Sequence, residues 1–113
     1  MISLKAGDIV WVDFDPVRGS EQGGARPAII LTSAEFHDKS AKAIVCPITR
    51  NPAPWPTKVA LPVGLKTKGF VLADQIRALH RSERGFRFIE AAPDHVLQDV
   101  RAIIGQLIGI GRA

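Results

Sequence analysis

The chain has 113 residues, of which 46% are hydrophobic and 23% charged, and its formal net charge at pH 7 is +4. This length and composition indicate one globular domain over residues 1–113 and exclude long disordered segments. No apolar run approaches the roughly 18 residues that a membrane-spanning helix needs, so we expect a soluble, cytoplasmic protein. The modest excess of positive charge favours a polyanion such as RNA, or an acidic protein, as the partner.

The first predicted element is a strand over Asp8 to Phe14, followed by a polar, glycine-bearing loop that ends at Arg26-Pro27. Apolar strands on both sides would fix the ends of this loop, which makes it a reasonable site for a polyanion. Its charged residues are Asp13, Asp15, Arg18, Glu21 and Arg26. Glycines and charges between strands are also typical of a solvated hairpin without a function, and the loop alone leaves that alternative open.

Short apolar runs separated by Gly and Pro follow, a pattern typical of a small antiparallel barrel or sandwich. A short helix is predicted after the second strand, because Thr32 could cap it and Glu35 could close a capping box. Cys46 is the only cysteine and lies in an apolar run, so we interpret it as a small buried hydrophobe. The later strands are predicted at Ala28 to Thr32, Ala43 to Ile48, Lys58 to Leu61, Gly69 to Leu72, Ile76 to His80 and Arg87 to Ala91.

Residues 51–57, NPAPWPT, contain three prolines and cannot form a central strand, because each proline removes a donor from the ladder. We therefore predict a loop. Trp55 in this loop could stack on a nucleic-acid base if it is exposed, but we favour the alternative that it folds over the end of the barrel.

The last predicted element is a helix that starts with Pro93 at its first position and ends before Gly109. Apolar residues recur in it at three- and four-residue spacing, which predicts packing against the core or another subunit rather than a ligand site. They are Val96, Leu97, Val100, Ile103, Ile104, Leu107 and Ile108. The predicted fold class is mainly β, with a short helix after strand 2 and a C-terminal α-helix.

Residues 7–16, GDIVWVDFDP, resemble the opening strand of the MazF/PemK family of toxin endoribonucleases. The following loop matches the family pattern G-S-E-Q-x-G-x-R-P, and the segments Pro47-Ile48-Thr49 and Val71 to Arg77 fit the family in order. The loop matches are Gly19, Ser20, Glu21, Gln22, Gly24, Arg26 and Pro27. The resemblance covers nearly the whole chain and implies a small SH3-like barrel of the MazF/CcdB type.

The resemblance also implies sequence-specific cleavage of single-stranded RNA, which leaves a 2′,3′-cyclic phosphate and a 5′-hydroxyl and needs no metal or other cofactor. Arg26 and Thr49 match the family's catalytic arginine and threonine. A structural salt bridge is the alternative role for Arg26. An arginine is a poor proton acceptor at neutral pH, so Glu21 could be the general base, or it could orient Arg26.

RNA contacts are expected from the loops around this site. Phe14 could stack on a base, with ordinary packing as its alternative, while Ser20 and Gln22 could hydrogen-bond to base edges. Gln75 and Arg77 could contact a base or a phosphate. Residues 50–57 are expected to help set the cleaved sequence.

Histidines are not expected to form a catalytic or metal site. His37, His80 and His95 are scattered along the chain, and each is interpreted as a surface residue. No set of His, Cys and carboxylate residues has metal-ligand spacing.

Members of this family usually form homodimers and are neutralised by a cognate, MazE-like antitoxin, whose acidic segment covers the RNA-binding surface. The excess of positive charge suits such a partner. Two alternatives from other classes are a non-enzymatic, CcdB-like toxin that binds DNA gyrase and an inactive binding module. The loop motif and Thr49 favour the nuclease over both.

Overall fold

The fold is taken from a computed structural model, in which residues 3–14 and 24–110 are described. The prediction of a mainly β fold, with a short helix after strand 2 and a C-terminal helix, is confirmed. In this part of the chain the elements are β1 (Asp8–Asp13), β2 (Ala25–Ile30), α1 (Ala34–Lys39), β3 (Lys42–Thr49), β4 (Lys58–Ala60), β5 (Phe70–Leu72), β6 (Arg77–His80), β7 (Arg87–Ala91) and α2 (Asp94–Ile108).

The strands form one antiparallel sheet in the order β4-β5-β3-β2-β1-β7, and β6 pairs with β3 off this path. Along one edge of β3, its first half pairs with β6 and its last two residues, Ile48 and Thr49, pair with β5. The end of β3 is therefore held by β5. Between described residues, no ladder joins β7 to β4 or β6, so closure into a barrel stays a prediction.

Both faces of the sheet are buried. Side chains alternate along β1, so Ile9 lies on one face of the sheet, where it packs with Val96 and Val100 of α2. Val10, Val12 and the adjoining Phe14 lie on the other face. The second face is completed by Ala28, Ile30, Ala43, Val45 and Leu79. A sheet buried on both sides is a rigid support for side chains at the strand ends.

Strand β2 begins at Ala25, three residues before its predicted start at Ala28. Pro27 lies inside this strand, where it is opposite Trp11 of β1, and the ladder with β3 stops at the next residue, Ala28. Proline has no amide hydrogen to donate, which fits its place at the end of that ladder. Because β2 begins at Ala25, Arg26 lies in a strand and not at the end of a loop, where it was predicted.

Helix α1 is capped by Ser33, whose hydroxyl accepts from the Phe36 amide at 3.2 Å, so the prediction that Thr32 is the cap is wrong. Thr32 Oγ1 instead accepts from the Ile44 amide at 3.2 Å and lies 2.7 Å from His37 Nε2. The other ring nitrogen of His37 donates to the Leu4 carbonyl at 2.8 Å. His37 is half-buried in these contacts, which corrects its interpretation as a surface histidine.

Helix α2 begins at Asp94, one residue later than predicted, with Pro93 at the N-cap. It ends as predicted at Gly109, which has a φ of 80°. The apolar stripe is only partly used in the core, because Leu107 and Ile108 near the C-terminus are 51% and 60% exposed. Among the described residues, no helix is long and apolar enough to cross a membrane.

Candidate active site

Arg26 and Thr49 lie near the same ends of two neighbouring antiparallel strands, β2 and β3, and both line one cleft. The ladder between β2 and β3 ends where Ala28 is opposite Pro47, and the same register continued by two residues along each strand would bring Arg26 beside Thr49. Each residue is an even number of positions from a ladder partner, so the two share one face of the sheet. The fold thus brings together two predicted catalytic residues that are separated in sequence.

A cleft of about 590 Å³ opens at this end of β2 and β3. Among the described residues that line it, four are basic and none is acidic. A concave, positively charged surface of this size attracts phosphate groups and concentrates them near its cations. The lining residues are Trp11, Ala25, Arg26, Pro27, Ile48, Thr49, Arg50, Asn51, Lys66, Thr67, Lys68 and Ile89.

The Thr49 side chain is 6% exposed, and its hydroxyl oxygen accepts from the Asn51 amide at 3.2 Å. A hydroxyl has one donor hydrogen beside its acceptor lone pairs, so this contact leaves the hydrogen available for a phosphate oxygen. The chain turns directly after Thr49, and the Asn51 side chain stabilises the turn by accepting from the Ala53 amide at 2.9 Å. Strand pairing and this turn together fix the hydroxyl.

A segment that the sequence analysis missed forms another side of the cleft. Residues 61–69 connect β4 to β5, and the Leu61 amide donates to the Gly69 carbonyl at 2.9 Å where the connection closes. Gly69 has a φ of 123°, and a Cβ atom at this position would collide with the Thr49 carbonyl oxygen. The segment is therefore packed directly against the end of the strand that carries Thr49.

Glu90 of β7 holds the same segment from the other side. Its carboxylate accepts from the Lys66 amide at 3.0 Å, the Thr67 amide at 2.7 Å and the Thr67 hydroxyl at 2.8 Å. Burial alone would raise the pKa of Glu90, but these hydrogen bonds and the Lys66 charge together lower it below its usual value. The carboxylate stays ionised and fixes Thr67, which is 6% exposed.

The segment 51–57 is a loop, as predicted, and the Lys58 ammonium stabilises it by donating to the carbonyls of Asn51 at 2.9 Å and Ala53 at 2.6 Å. Trp55 is 61% exposed, so our interpretation that it folds over the end of the barrel is wrong. Its indole nitrogen donates to the Asp74 carboxylate at 3.2 Å, which fixes the ring at the surface.

The predicted RNA contacts have different outcomes in the structure. Phe14 is fully buried in the core, so the prediction that it stacks on a base is wrong, and packing is its role. The Arg77 guanidinium carbon lies 5.8 Å from the centroid of the Phe14 ring, a cation–π contact at the start of β6. Gln75 and Arg77 are half-buried and do not line the cleft, and their contacts with RNA stay predictions.

Ser20, Glu21 and Gln22 lie outside the described residues. The segment that carries them leaves the sheet at Phe14 and returns at Gly24, whose carbonyl accepts from the Phe14 amide at 3.0 Å. The predicted roles of these three residues stay predictions.

Cys46 and the remaining histidines lie outside the cleft lining. Cys46 is fully buried, as predicted, and burial, with a smaller contribution from the Asp74 charge, raises its pKa to about 12. Such a thiol is inert at neutral pH. His95 is exposed, as predicted. His80 is half-buried and its ring accepts from the Glu83 amide at 3.3 Å, which corrects its interpretation as a surface histidine. Among the described residues, no three His, Cys, Asp or Glu side chains form a group that could hold a metal ion.

Sequence reasoning missed Lys66, Lys68 and Trp11 as lining residues, and Glu90 as an anchor. The one local signal was the Lys-Thr-Lys-Gly string at residues 66–69, in which two cations precede a glycine at the start of a strand. Such a string is common on protein surfaces. Its approach to Thr49 depends on the pairing of β5 with β3 and on Glu90, which is distant in the chain.

Comparison with known proteins gives consistent matches. Residues 5–108 match the family model described as PemK-like, MazF-like toxin of type II toxin-antitoxin system. The chain is 37% identical over 103 residues to the endoribonuclease toxin MazF of Escherichia coli strain K12, an alignment that covers 91% of this chain and 92% of that protein.

Solved structures agree with this match. The crystal structure of MazF from Deinococcus radiodurans superposes with a TM-score of 0.92 at 38% identity, covering 96% of this chain and 99% of that one. A MazE-MazF structure from the same organism superposes with a TM-score of 0.87 at 37% identity, covering 98% and 100% of the two chains.

Proposed function

This chain belongs to the family of PemK-like, MazF-like toxins of type II toxin-antitoxin systems, and we propose that it is an endoribonuclease that cleaves single-stranded RNA at a specific sequence. The single observation that carries the proposal is the juxtaposition of Arg26 and Thr49 in a cleft lined by basic residues. The related MazF protein of Escherichia coli is named an endoribonuclease, which supports it.

The proposed reaction uses the 2′-hydroxyl of RNA as the nucleophile. Its oxygen gives up its proton to a base and attacks the adjacent phosphorus, the bond to the 5′ oxygen breaks, and this oxygen takes up a proton, so the products are a 2′,3′-cyclic phosphate and a 5′-hydroxyl. The nucleophile belongs to the substrate, and cations of the protein can neutralise the developing charge, so we propose that no metal ion is required. Base-paired RNA should resist, since its 2′-oxygen is not free to align with the leaving group.

Arg26 is proposed to bind the phosphoryl oxygens that gain charge in the transition state. Its guanidinium keeps its charge and has donors in a fork that matches two phosphate oxygens. Thr49 would donate its hydroxyl hydrogen to the same phosphate, because its oxygen already accepts from the Asn51 amide. Both groups are carried by strands of a rigid sheet, so they are positioned before the substrate binds.

Glu21 is proposed as the base that accepts the 2′ proton, since an arginine side chain is in general a poor proton acceptor. The role of orienting Arg26 is the alternative, and both roles require the ionised carboxylate. In either role, the wild-type rate falls in acid as the carboxylate is protonated, whereas the slow Glu21→Gln variant loses this dependence.

Sequence preference is proposed to come from the loops near the cleft. Residues 50–57 follow Thr49 directly, and they present an exposed tryptophan, Trp55. Ser20 and Gln22 would hydrogen-bond to base edges, and Gln75 and Arg77 would contact a base or phosphate.

Cleavage of mRNA would stop translation and growth in the cytoplasm, and we propose that a MazE-like antitoxin neutralises the chain. The similar Deinococcus structure titled MazE-MazF supports a partner of this kind. An acidic segment of the antitoxin would bind the basic cleft, so antitoxin and RNA should compete and both should bind more weakly as salt rises.

A homodimer is proposed to form through the exposed apolar end of α2 and the sheet beside it. These elements surround an apolar groove of about 450 Å³, and Ile76, Ile108 and Ile110 on it are 38%, 60% and 80% exposed. A contiguous apolar surface of this kind is typical of a protein interface. Its lining residues are Leu31, Thr32, Ile44, Ile76, Arg101, Ile104, Gly105, Ile108 and Ile110.

Incubation of the purified protein with a long single-stranded RNA in EDTA tests the nuclease. We expect discrete fragments with cyclic phosphate and 5′-hydroxyl ends, the same fragments when magnesium is added, and none with Arg26→Ala. Cleavage that disappears in EDTA and returns with magnesium would refute the proposed mechanism. Intact RNA together with inhibited gyrase supercoiling would instead support the CcdB-like alternative, and a negative result in both assays would support an inactive binding module.

A further inference from the structure

The cleft contains more positive charge than the scissile phosphate requires. In the described part of its lining, Arg26 lies on β2, and Arg50 directly follows β3, the strand that carries Thr49. Lys66 and Lys68 come from the separate 61–69 segment. Both lysines are exposed. Cations beyond those at the reacting group are expected where a polyanion continues through a site.

The segment with these lysines is built as a fixed part of the site. Glu90 holds it through the Lys66 amide and through both the amide and the hydroxyl of Thr67. At the next turn of chain, Gly69 packs against the Thr49 carbonyl. Lys68 lies between these two anchors, and its ammonium donates to the Leu65 carbonyl at 2.8 Å, within the same segment. The backbone that carries both lysines is therefore held against the strand of the proposed catalytic threonine.

We propose that Lys66 and Lys68 form a second phosphate subsite, which binds the phosphate of a nucleotide next to the scissile one. Glu90 is a positioning residue for this subsite: it touches no RNA and acts through the backbone of Lys66 and Thr67. The inference rests on the proposed function, since it assigns a further substrate contact to the same cleft. It also gives Glu90 a role opposite to that of an ordinary surface carboxylate, which would repel RNA.

The test is RNA affinity as a function of salt concentration. The probe is a single-stranded oligoribonucleotide that spans a cleavage site mapped with the wild-type protein and has a 2′-O-methyl group at the cleaved nucleotide. We expect Lys66→Ala and Lys68→Ala each to weaken binding severalfold at low salt. Each should also reduce the slope of log K against log salt by about 0.7, the value for one lost contact to a single strand. Lys39→Ala, a matched loss of charge on the distant helix α1, should change neither quantity.

Glu90→Gln gives the sharper result, because loss of its charge would raise RNA affinity, whereas loss of its positioning role would lower it. Removing a negative charge near the cleft would by itself tighten RNA binding. The glutamine amide has one acceptor oxygen where the carboxylate has two, so the variant loses hydrogen bonds to Lys66 or Thr67 and releases this segment. RNA binding should therefore weaken, and its salt slope should fall as in the lysine variants. Tighter binding by Glu90→Gln, or unchanged slopes in both lysine variants, would overturn the subsite.

The lysine variants keep the inference testable if Glu90→Gln does not fold, since both lysines are exposed. Wild-type cleavage separates this inference from the function on which it rests. An active wild-type enzyme with unchanged slopes in the lysine variants refutes the subsite alone, whereas a wild-type protein that cleaves no RNA refutes the proposed function.

Discussion

Gly69 packs against the carbonyl oxygen of Thr49 so closely that no other residue fits without movement of the backbone. Its φ of 123° is also one that residues with a side chain rarely adopt. The contact joins the end of the 61–69 segment to the strand that carries the proposed catalytic threonine. Any displacement of the segment should therefore be felt at Thr49.

We expect Gly69→Ala to lower both stability and activity. The collision should reduce the free energy of unfolding by about 1–3 kcal/mol beyond the cost of the unfavourable φ. A shift of Thr49 by about 1 Å can reduce the cleavage rate roughly a hundredfold. Denaturant unfolding and a cleavage assay measure the two effects.

Gly64→Ala is the matched control for Gly69→Ala. Gly64 has a similar φ of 103°, but a Cβ atom at this position meets nothing within 4 Å. Both variants therefore share the backbone strain, and only Gly69→Ala meets the Thr49 carbonyl. Equal losses in the two variants would show that the contact with Thr49 has no consequence.

Arg26→Ala should abolish nearly all cleavage while the domain still folds. Loss of a preorganised donor to a charged transition state costs on the order of 3 kcal/mol, or about a hundredfold in rate. Arg26→Lys should recover only part of the rate, because an ammonium cannot make the forked contact with phosphate. Single-turnover cleavage rates and thermal unfolding of each variant provide the measurement. Near-wild-type turnover by Arg26→Ala would assign this role to another residue.

Trp55→Ala should weaken RNA binding by about 1–3 kcal/mol, the range for loss of one base stacked on an aromatic side chain. Trp55→Phe keeps a ring for stacking but loses the hydrogen bond to Asp74, so it should retain most of the affinity. A second tryptophan, Trp11, lines the cleft, so the signal of Trp55 is the difference in intrinsic fluorescence between wild type and Trp55→Phe, and RNA should quench this difference. Quenching by a protein partner but not by RNA would identify the ring as a protein contact.

Glu90 should make stability depend on pH in the acid range. The folded-state pKa of Glu90 lies below the ordinary value of 4.5. Its contribution to the free energy of unfolding is therefore fully present above pH 4.5 and is lost as the pH falls through the folded-state pKa. Glu90→Gln lacks the ionised carboxylate at every pH. The difference in free energy of unfolding between wild type and variant should therefore shrink from about pH 6 to about pH 3. A difference that is constant over this range would contradict the hydrogen-bonded carboxylate.

The elements with a clear period were predictable from the sequence. The three- and four-residue spacing in α2 gave its end at Gly109 and its start to within one residue. Strand periodicity would have corrected the prediction that Phe14 stacks on a base. Val10 and Val12 precede Phe14 at two-residue spacing and share its buried face. Stacking was assigned to Phe14 from its residue type, although its position in the alternation indicated packing.

The part of the site that sequence could not supply depends on contacts between distant segments. Nothing near residues 66–68 indicates that Glu90 will hold them. The place of Arg26 and Thr49 in one cleft depends on the pairing of β2 with β3 elsewhere along these strands. Trp55 was misjudged for a related reason, since its exposure depends on the carboxylate of Asp74 in another loop. Resemblance to a family identified Arg26 and Thr49, but local pattern did not connect them.

Ile108→Glu should convert the proposed homodimer into a monomer. Ile108 lines the apolar groove beside α2 and is 60% exposed, so a carboxylate there would lose its hydration when a second copy packs on it. Val63→Glu is the control, because Val63 is 99% exposed and lies outside the groove lining. Sedimentation at micromolar concentration should give a dimer for wild type and Val63→Glu and a monomer for Ile108→Glu. A monomeric wild-type protein, or a dimeric Ile108→Glu variant, would move the interface away from this groove.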